Sequence, residues 1–359
     1  MMDNSLLDKL HYSASDGFAY FGITIQDQRR LFKKLSEKHR FYHNSNHIND
    51  ILLMIRHYNP SEYNNFNISS IERNILITAA LYHDAIYSPT SKDNEEKSIE
   101  FFLSHCSSKN RESEILQVST IIRDTINHTP STKLSQIFCD FDLAGLKKGD
   151  FTNMLIGEKK LFLEFQKFDY SDYKKGRIAF LQSFLEKNPG VNEANIKALI
   201  NYVQFRVPKI GVYAGSFNPF HKGHLNIVEK AEQIFDKVII AKGINVQKIF
   251  SQHSNGLNDL DNKLYYRQVE SFTGLITDYL SIKLKDADIT LIRGLRNGND
   301  LSYEMNQVKF INEFKENTKY IFIHCDQEFE HISSTAMRSM LESGDNKMIE
   351  KANYYCDIN

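Results

Sequence analysis

The clearest chemical signal in the first half of the chain is a histidine–aspartate pair within an apolar segment. His83 and Asp84 interrupt the run ALYHDAIY, where charged side chains are tolerated only when they are paired or bind a metal. The stretch HRFYHNSNHINDIL supplies histidines upstream, and FCDFDLAGL supplies aspartates downstream. Mixed imidazole and carboxylate ligands suit a divalent cation that keeps positions open for water and a substrate phosphate.

A second chemical signal lies in the other half of the chain, between an apolar run and a helical stretch. In GSFNPFHKGH, Gly215 permits a tight turn, and the helix that follows presents free N–H groups suited to a phosphate. His221 and His224 are three residues apart, so both rings can face one pocket. Two histidines at this spacing are by themselves weak evidence for a binding site. Their position between a predicted strand and a predicted helix makes the signal specific.

A third segment, ISSTAMR, follows the last apolar run and opens a helix. Its hydroxyl and N–H groups, with Arg338 one turn further on, predict a second anion site. Taken alone, Ser333 or Ser334 would equally fit an ordinary helix N-cap.

The elements that carry these signals change in character along the chain. Through residues 1–205 apolar residues recur at helical spacing, as in Ile48, Ile51 and Ile55. After Val207, short apolar runs alternate with helices, which predicts a parallel sheet. We therefore predict two domains: an all-α domain at 1–205 and an α/β, Rossmann-like domain at 206–359. The polar stretch at 251–263 is predicted to be a loop.

The composition limits the classes of partner. Lys and Arg total 44 against 45 Asp and Glu, so the net charge of −1 offers no basic surface for nucleic acid. No apolar run is long enough to span a membrane, and MMDNSLLDKL lacks the pattern of a secretory signal. The four cysteines are widely spaced without a CxxC motif, which predicts a reducing, cytoplasmic environment.

The second half resembles a known enzyme family. The strand–GSFNPFHKGH–helix segment is similar to the signature of the HxGH nucleotidyltransferases. Three further features are similar to the corresponding segments of phosphopantetheine adenylyltransferase: VESFTGLITDY, LIRGLRNGNDLSYEMNQ and a lysine after GIN. The resemblance spans residues 209–341. It implies transfer of an adenylyl group from ATP, accompanied by Mg²⁺, to 4′-phosphopantetheine, which gives dephospho-CoA and pyrophosphate.

The resemblance also implies a role for each matched residue. His224 is assigned to the phosphate charge of the transition state, with His221 beside it on the β- and γ-phosphates. Lys248 and Arg293 are assigned to the acceptor phosphate and the α-phosphate region, and Ser216 donates a hydrogen bond near the reacting centre. The other residues implied to bind ATP are Gly215, Phe217, Gly223, Arg296, Glu304, Ser333, Ser334, Thr335 and Arg338, with Tyr303 nearby.

Several positions depart from the pantetheine pattern. Ser216, Asn218 and His221 stand where that family usually carries Thr, Asp and Thr, and the pair Thr335 and Arg338 is usually absent. HxGH together with SSTxxR is more similar to the pyridine mononucleotide adenylyltransferases. Nicotinamide or nicotinate mononucleotide is therefore the alternative acceptor.

The first half resembles the HD superfamily of metal-dependent phosphohydrolases over roughly residues 10–190. Four short segments are similar to those of one predicted branch of that superfamily: YHNSNHI, HDAIY, KDNEEKS and DFDL. The resemblance implies His47, His83, Asp84 and Asp142 as ligands of Mg²⁺, Mn²⁺ or Fe²⁺, with Asp140 as the alternative to Asp142. It implies hydrolysis of a phosphate ester by metal-activated water.

Five further residues are candidates for the surrounding pocket: His43, Asn94, Glu95, Glu96 and His128. Glu95 and Glu96 equally fit a solvated helix N-terminus. We thus expect a bifunctional enzyme acting on ATP, a phosphorylated small-molecule acceptor and a phosphate ester. The adenylyltransferase domain could also form a homo-oligomer. The alternative for the first half is a ligand-binding regulatory module without turnover.

Overall fold

The structure is a computed structural model that describes residues 4–108, 110–244, 256–283, 285, 287–314 and 316–358. A helical N-terminal region is followed by a region built on a parallel sheet, which confirms the predicted fold class. Within these described ranges, no helix is both long and apolar enough to cross a membrane.

The N-terminal region is helical because apolar residues recur at the helix period and capping residues mark the helix ends. Thr24 accepts a hydrogen bond from the Asp27 amide, and Ser69 and Glu72 form a capping box at the start of the helix that leads to His83. The described helices before the first strand are α1 (Asn4–Phe21), α2 (Ile25–Leu35), α3 (Ser45–Arg56), α4 (Ser70–Tyr82), α5 (Asn94–His105), α6 (Glu112–Asp124), α7 (Lys133–Asp142), α8 (Ala144–Lys147), α9 (Phe151–Glu164), α10 (Tyr170–Lys187) and α11 (Glu193–Phe205).

Helices α3, α4 and α7 form the part of the core that carries the predicted metal ligands. Ile48, Ile51 and Ile55 of α3 are buried, as the sequence periodicity predicts. Helix α4 is buried continuously from Ile75 onward and ends at the residue before His83. Helix α7 ends at Asp142. The ligands therefore lie at the ends of buried helices, where packing of the apolar faces fixes their positions.

Five parallel strands form the sheet of the C-terminal region, in the order β3-β2-β1-β4-β5. They are β1 (Lys209–Gly215), β2 (Lys237–Gly243), β3 (Gln268–Phe272), β4 (Asp288–Leu295) and β5 (Lys319–His324). The strand order reverses between β1 and β4. In open α/β sheets, ligands bind outside the carboxyl ends of the strands at such a reversal.

The helices of this region are α12 (Lys222–Ala231), α13 (Gly256–Lys263), α14 (Ile276–Lys283), α15 (Gly298–Phe314), α16 (Ser334–Leu341) and α17 (Asn346–Cys356). Helix α13 corrects one prediction, because residues 256–263 had been expected to form a loop. Leu260 and Leu264 are four residues apart and both are buried, so a short apolar face is sufficient for a helix within a polar composition. Residues 251–255 of that predicted loop lie outside the described residues.

The chain divides into two compact units, and each contains two segments of sequence. The first unit comprises residues 1–164 and 179–202, and the second comprises 165–178 and 203–359. Within the second unit, the buried Lys237 of β2 donates hydrogen bonds to the carbonyls of Gln166 and Phe168. Asp169 accepts hydrogen bonds from Gln268 and Lys283, both at 2.8 Å. The segment 165–169 is thereby hydrogen-bonded to the first residues of β2 and β3 and to the last residue of α14.

Candidate functional sites

The side chains of three predicted metal ligands converge in the first unit. His47, His83 and Asp84 each offer one ligand atom, and these atoms lie within 4.8 Å of one another. Asp142 Oδ1 lies 3.0 Å from His47 Nε2 and 3.6 Å from His83 Nε2. All four residues are therefore adjacent, although they come from three separate parts of the sequence.

The hydrogen bonds of His83 indicate whether this group suits a cation. His83 Nδ1 lies 3.0 Å from the Ala80 carbonyl oxygen, which can only accept, so the hydrogen of the neutral ring is on Nδ1. Its Nε2 is buried and makes no hydrogen bond within the described residues, although Asp84 Oδ2 is 3.0 Å away. A nitrogen that faces two carboxylates is stabilised by a positive charge between them, which can be a proton on Nε2 or a metal cation in its place. The residues thus fit a divalent cation.

The pKa shifts at this site follow from burial and from opposite charges held close together. Burial alone disfavours the charged forms of His83, Asp84 and Asp142. Mutual attraction outweighs burial: the pKa of His83 is raised, while the carboxyl pKa values of Asp84 and Asp142 are lowered. Both carboxylates are therefore ionised near neutral pH, as metal ligands must be.

Glu164 is a residue of this site that the sequence analysis missed. Its fully buried carboxylate accepts hydrogen bonds from the backbone amides of Tyr42 and His43 at 2.7 and 2.8 Å. The same carboxylate accepts from His43 Nδ1 at 2.6 Å and from the Tyr87 hydroxyl at 2.9 Å. Glu164 thereby fixes the orientation of the His43 ring, whose centroid is 5.9 Å from that of His47. The only signal in the sequence is a lone acid within the apolar run LFLEF.

The other predicted pocket residues fall into two groups. His128 Nε2 lies 2.9 Å from Asp142 Oδ2, and the half-buried Glu95 has a raised pKa because of burial and the nearby Asp84. Asn94 instead forms hydrogen bonds with the backbone of Ser88: its Oδ1 accepts from the amide and its Nδ2 donates to the carbonyl.

Glu96 and Asp140 lie away from the ligands. Glu96 forms an exposed bidentate pair with Arg123 at 2.6 and 2.9 Å. Asp140 accepts from Gln136 and Lys147, so Asp142 rather than Asp140 contacts the histidines.

A second site is a cavity of about 450 Å³ in the second unit. It lies at the carboxyl ends of β1 and β4, where the strand order reverses. The residues from the sequence analysis that line it are Ser216, His221, Gly223, His224, Arg296, Tyr303, Glu304, Ser333, Ser334 and Thr335. Both predicted phosphate-binding segments therefore meet in one cavity.

The two histidines of this cavity stack on each other, with ring centroids 3.7 Å apart. The His224 amide donates to His221 Nδ1, and the His221 amide donates to His224 Nδ1. Since both Nδ1 atoms accept, the hydrogen of each neutral ring is on Nε2. Burial, reinforced by Arg296, lowers the pKa of His221 to about 4 and that of His224 well below its usual range. Both rings are therefore uncharged hydrogen-bond donors at neutral pH.

The segment before α12 is held by α16. Ser333 caps α16, while Ser334 donates a hydrogen bond of 3.0 Å to the Pro219 carbonyl. Arg338 donates to the Asn218 carbonyl and to Thr335, so it supports the cavity wall without lining it. The N-termini of α12 and α16 consequently open onto the same cavity, which favours an anion.

Both predicted arginines are paired with carboxylates. Arg296 forms two hydrogen bonds of 2.9 Å with Asp300, a lining residue that the sequence analysis missed. Arg293 Nε donates to Glu304. A phosphate that binds either guanidinium competes with these carboxylates.

Two glycines lie where a side chain would crowd a neighbouring aromatic ring. A Cβ at Gly223 would lie 3.2 Å from the His221 ring, and one at Gly215 would lie 2.9 Å from Phe217. Phe217 is buried and packs edge-on against His224, so its role is to support that ring. Lys248, the predicted acceptor-binding lysine, lies outside the described residues.

The parallel sheet and the cavity at its strand-order reversal define the class of this region. The profile of the cytidylyltransferase-like family matches residues 212–340. Proteins named phosphopantetheine adenylyltransferase are 30% to 35% identical to this region over 81% to 85% of their own length, so the chain belongs, through its C-terminal region, to that family.

The family assignment rests on three relatives with that name. The protein of Clostridium perfringens strain SM101 is 35% identical over 136 residues, which cover 37% of this chain and 81% of the relative. The protein of Syntrophomonas wolfei is 35% identical over 134 residues, covering 36% and 81%. That of Clostridium novyi is 30% identical over 144 residues, covering 38% and 85%.

Proposed function

We propose that the C-terminal region transfers an adenylyl group from ATP to 4′-phosphopantetheine, giving dephospho-CoA and pyrophosphate. The observation that carries this proposal is that one cavity is lined both by His221 and His224 and by Ser333, Ser334 and Thr335. The relatives that share this region are named phosphopantetheine adenylyltransferases.

The chemistry of such a transfer needs positioning and charge stabilisation more than a covalent nucleophile. The Nε2–H groups of His221 and His224 would donate to phosphate oxygens, and two helix N-termini would add positive potential. Ser216 would donate near the reacting centre, and Arg293 would leave Glu304 to hold the incoming phosphate. Mg²⁺ bound with the triphosphate would neutralise part of its charge.

The acceptor is tested by ATP–pyrophosphate exchange across a panel of phosphorylated acceptors. We expect the highest kcat/KM with 4′-phosphopantetheine, because residues 269–279 and 291–307 resemble the pantetheine-type segments. Thr335 and Arg338 favour the alternative, a pyridine mononucleotide. A higher kcat/KM with nicotinamide or nicotinate mononucleotide would overturn the choice of acceptor and leave adenylyl transfer standing.

We propose a second function for residues 1–205, which is metal-dependent hydrolysis of a phosphate ester. The supporting observation is the buried His83 Nε2, which faces Asp84 and Asp142 without a hydrogen bond in the described part of the chain. His47, His83, Asp84 and Asp142 would hold Mg²⁺, Mn²⁺ or Fe²⁺. The cation would supply an activated water and neutralise phosphate charge.

Metal analysis of the purified protein, followed by hydrolysis assays with a panel of phosphate esters, tests this function. We expect a divalent metal bound near one equivalent and turnover that a chelator abolishes. A protein that binds no divalent cation would contradict the metal centre. Metal binding without turnover would favour the regulatory module that the sequence leaves open.

A further inference from the structure

A buried tyrosine lines the cavity of the second unit. Tyr213 lies on β1, two residues before Gly215, and is 6% exposed. Its hydroxyl group makes no hydrogen bond within the described residues. Most buried hydroxyl groups are hydrogen-bonded, because burial of an unpaired one costs free energy. The cavity therefore contains a buried donor that is available to a ligand.

The hydroxyl of Tyr213 borders space that a glycine leaves open. A Cβ atom at Gly294 would lie 2.9 Å from the Tyr213 hydroxyl oxygen, which is closer than such atoms pack. Gly294 itself lines the cavity, near the carboxyl end of β4. Strands β1 and β4 are the neighbours between which the strand order reverses. The hydroxyl thus lies where open α/β sheets bind their ligands.

The ring of Tyr213 packs beside one of the two cavity histidines. Its centroid lies 6.3 Å from that of His224 and 5.1 Å from that of Phe217. Among the described ring contacts, none joins Tyr213 to His221. Tyr213 is therefore on the His224 side of the histidine pair, where the reacting phosphate is proposed to bind.

The protonation state of Tyr213 suits a hydrogen-bond donor. Burial raises the pKa of its hydroxyl above the ordinary value of 10.0, although the nearby Arg293 opposes the shift. The hydroxyl consequently keeps its proton at neutral pH. Since the helix N-termini at this cavity favour an anion, a phosphate oxygen is the acceptor that matches this donor.

We propose that the Tyr213 hydroxyl donates a hydrogen bond to an α-phosphate oxygen of the bound nucleotide. The catalytic part of this inference rests on the proposed adenylyl transfer. In that reaction an oxygen of the acceptor phosphate bonds to the α-phosphorus, and the bond from this phosphorus to the pyrophosphate oxygen breaks. Tyr213 keeps its proton throughout and stabilises negative charge on the α-phosphate oxygens. It is then a catalytic residue beside His224.

Tyr213→Phe tests the contact, because it removes the hydroxyl and keeps the ring that packs against Phe217 and His224. We expect the Kd for AMP, measured by titration calorimetry, to rise about tenfold, the loss of one hydrogen bond to a charged group. The affinity for pyrophosphate, which lacks the α-phosphate, and for adenosine, which lacks any phosphate, should stay within about twofold of wild type.

Stability separates a binding role of the hydroxyl from a structural one. Without ligand, the melting temperature of Tyr213→Phe should equal or exceed that of the wild type, because the variant no longer buries an unpaired hydroxyl. A hydroxyl that stabilises the fold would give the opposite result. In the transfer reaction we expect kcat of Tyr213→Phe to fall about 10–100-fold.

The matched control is Tyr355→Phe in the same unit. The hydroxyl of Tyr355 lies 3.0 Å from His331 Nε2, and neither residue lines the cavity. This variant should keep the AMP affinity and the turnover of the wild type.

The inference is overturned if Tyr213→Phe binds AMP as tightly as the wild type, if its affinity for adenosine falls equally, or if its melting temperature falls by more than about 4 °C. Wild-type turnover of Tyr213→Phe would contradict its catalytic role and leave the proposed function standing. Weaker AMP binding by the variant, in a protein that adenylylates no acceptor, would support the contact and contradict the proposed function. A wild-type protein that binds no AMP would contradict both.

Discussion

His83 Nδ1 lies at hydrogen-bond distance from the Ala80 carbonyl oxygen, and its buried Nε2 faces the carboxylates of Asp84 and Asp142. A divalent cation between these groups would attract both carboxylates and accept the Nε2 lone pair, so removing one ligand should lower the affinity for the metal. We predict that Asp84→Asn lowers affinity for Mn²⁺ by at least about 100-fold, as measured by titration calorimetry. The far-ultraviolet circular dichroism of the same variant serves as the folding control, and its adenylyl transfer should be unchanged because that cavity lies in the other unit.

The matched control for this substitution is Asp140→Asn. Asp140 is two residues from Asp142 but is paired with Lys147, so its neutralisation should leave Mn²⁺ affinity unchanged. Loss of affinity in Asp140→Asn, or full retention in Asp84→Asn, would show that the ligands have been misassigned.

His224 offers a test of the other site. Its ring is packed by Phe217, stacked on His221 and left with an Nε2–H donor. We predict that His224→Ala lowers kcat for pyrophosphate release by roughly 10²–10³-fold, the usual cost of removing one oriented donor from a developing charge. The exposed His331→Ala should keep wild-type turnover. Near-wild-type turnover of His224→Ala would contradict its assignment.

At the element scale, strand β2 begins with a buried lysine whose bonds fix the segment before α10. Burial lowers the pKa of Lys237 to about 7, against an ordinary value of 10.5, although Asp169 and Glu270 oppose the shift and Lys283 adds to it. Between these pH values the unfolded chain binds more protons than the folded chain. The free energy of unfolding should therefore rise from pH 7 to pH 9, by up to about 1.4 kcal/mol per pH unit from this residue.

Lys237→Met removes this titration, and we predict a flatter pH dependence in urea unfolding at pH 7, 8 and 9. The exposed Lys209→Met on the neighbouring strand is the matched control and should keep the wild-type slope. Parallel slopes for Lys237→Met and the wild type would show that Lys237 does not titrate in this range.

At the scale of the whole molecule, the compact unit that contains the sheet begins before the predicted domain boundary. Residues 165–178 belong to it and supply carbonyl acceptors for Lys237 and the carboxylate partner of Lys283. We predict that a fragment from residue 206 unfolds with a free energy lower by about 3 kcal/mol or more than a fragment from residue 165. The reason is that Lys237 loses its two carbonyl acceptors and Lys283 loses the Asp169 carboxylate. Chemical denaturation of both fragments measures the difference, and equal stabilities would contradict it.

Much of the candidate chemistry could be predicted because it is encoded locally. In GSFNPFHKGH the two histidines are close in sequence, so they are neighbours regardless of how the rest of the chain folds. In HDAIY, charged residues stand within an apolar segment. The spacing of apolar residues that distinguishes helices from strands is likewise a local property of the sequence. The fold class predicted from it is confirmed. The site assignments and the domain boundary stay predictions.

The choice between neighbouring residues could not be read from the sequence alone. Asp140 and Asp142 differ by about 200° around α7, so only the packing of that helix decides which one meets His47. Glu95 and Glu96 differ by about 100°, and packing directs one toward Asp84 and the other toward Arg123.

Long-range partners required the folded chain for a different reason. Glu164 is 121 residues from His43, and no local rule relates the two positions. The same holds for the cavity of the second unit, whose walls are separate in sequence. Local sequence thus determined the chemical groups and the elements that carry them. Tertiary packing decided which groups meet, because burial of helix and strand faces sets their direction and distance.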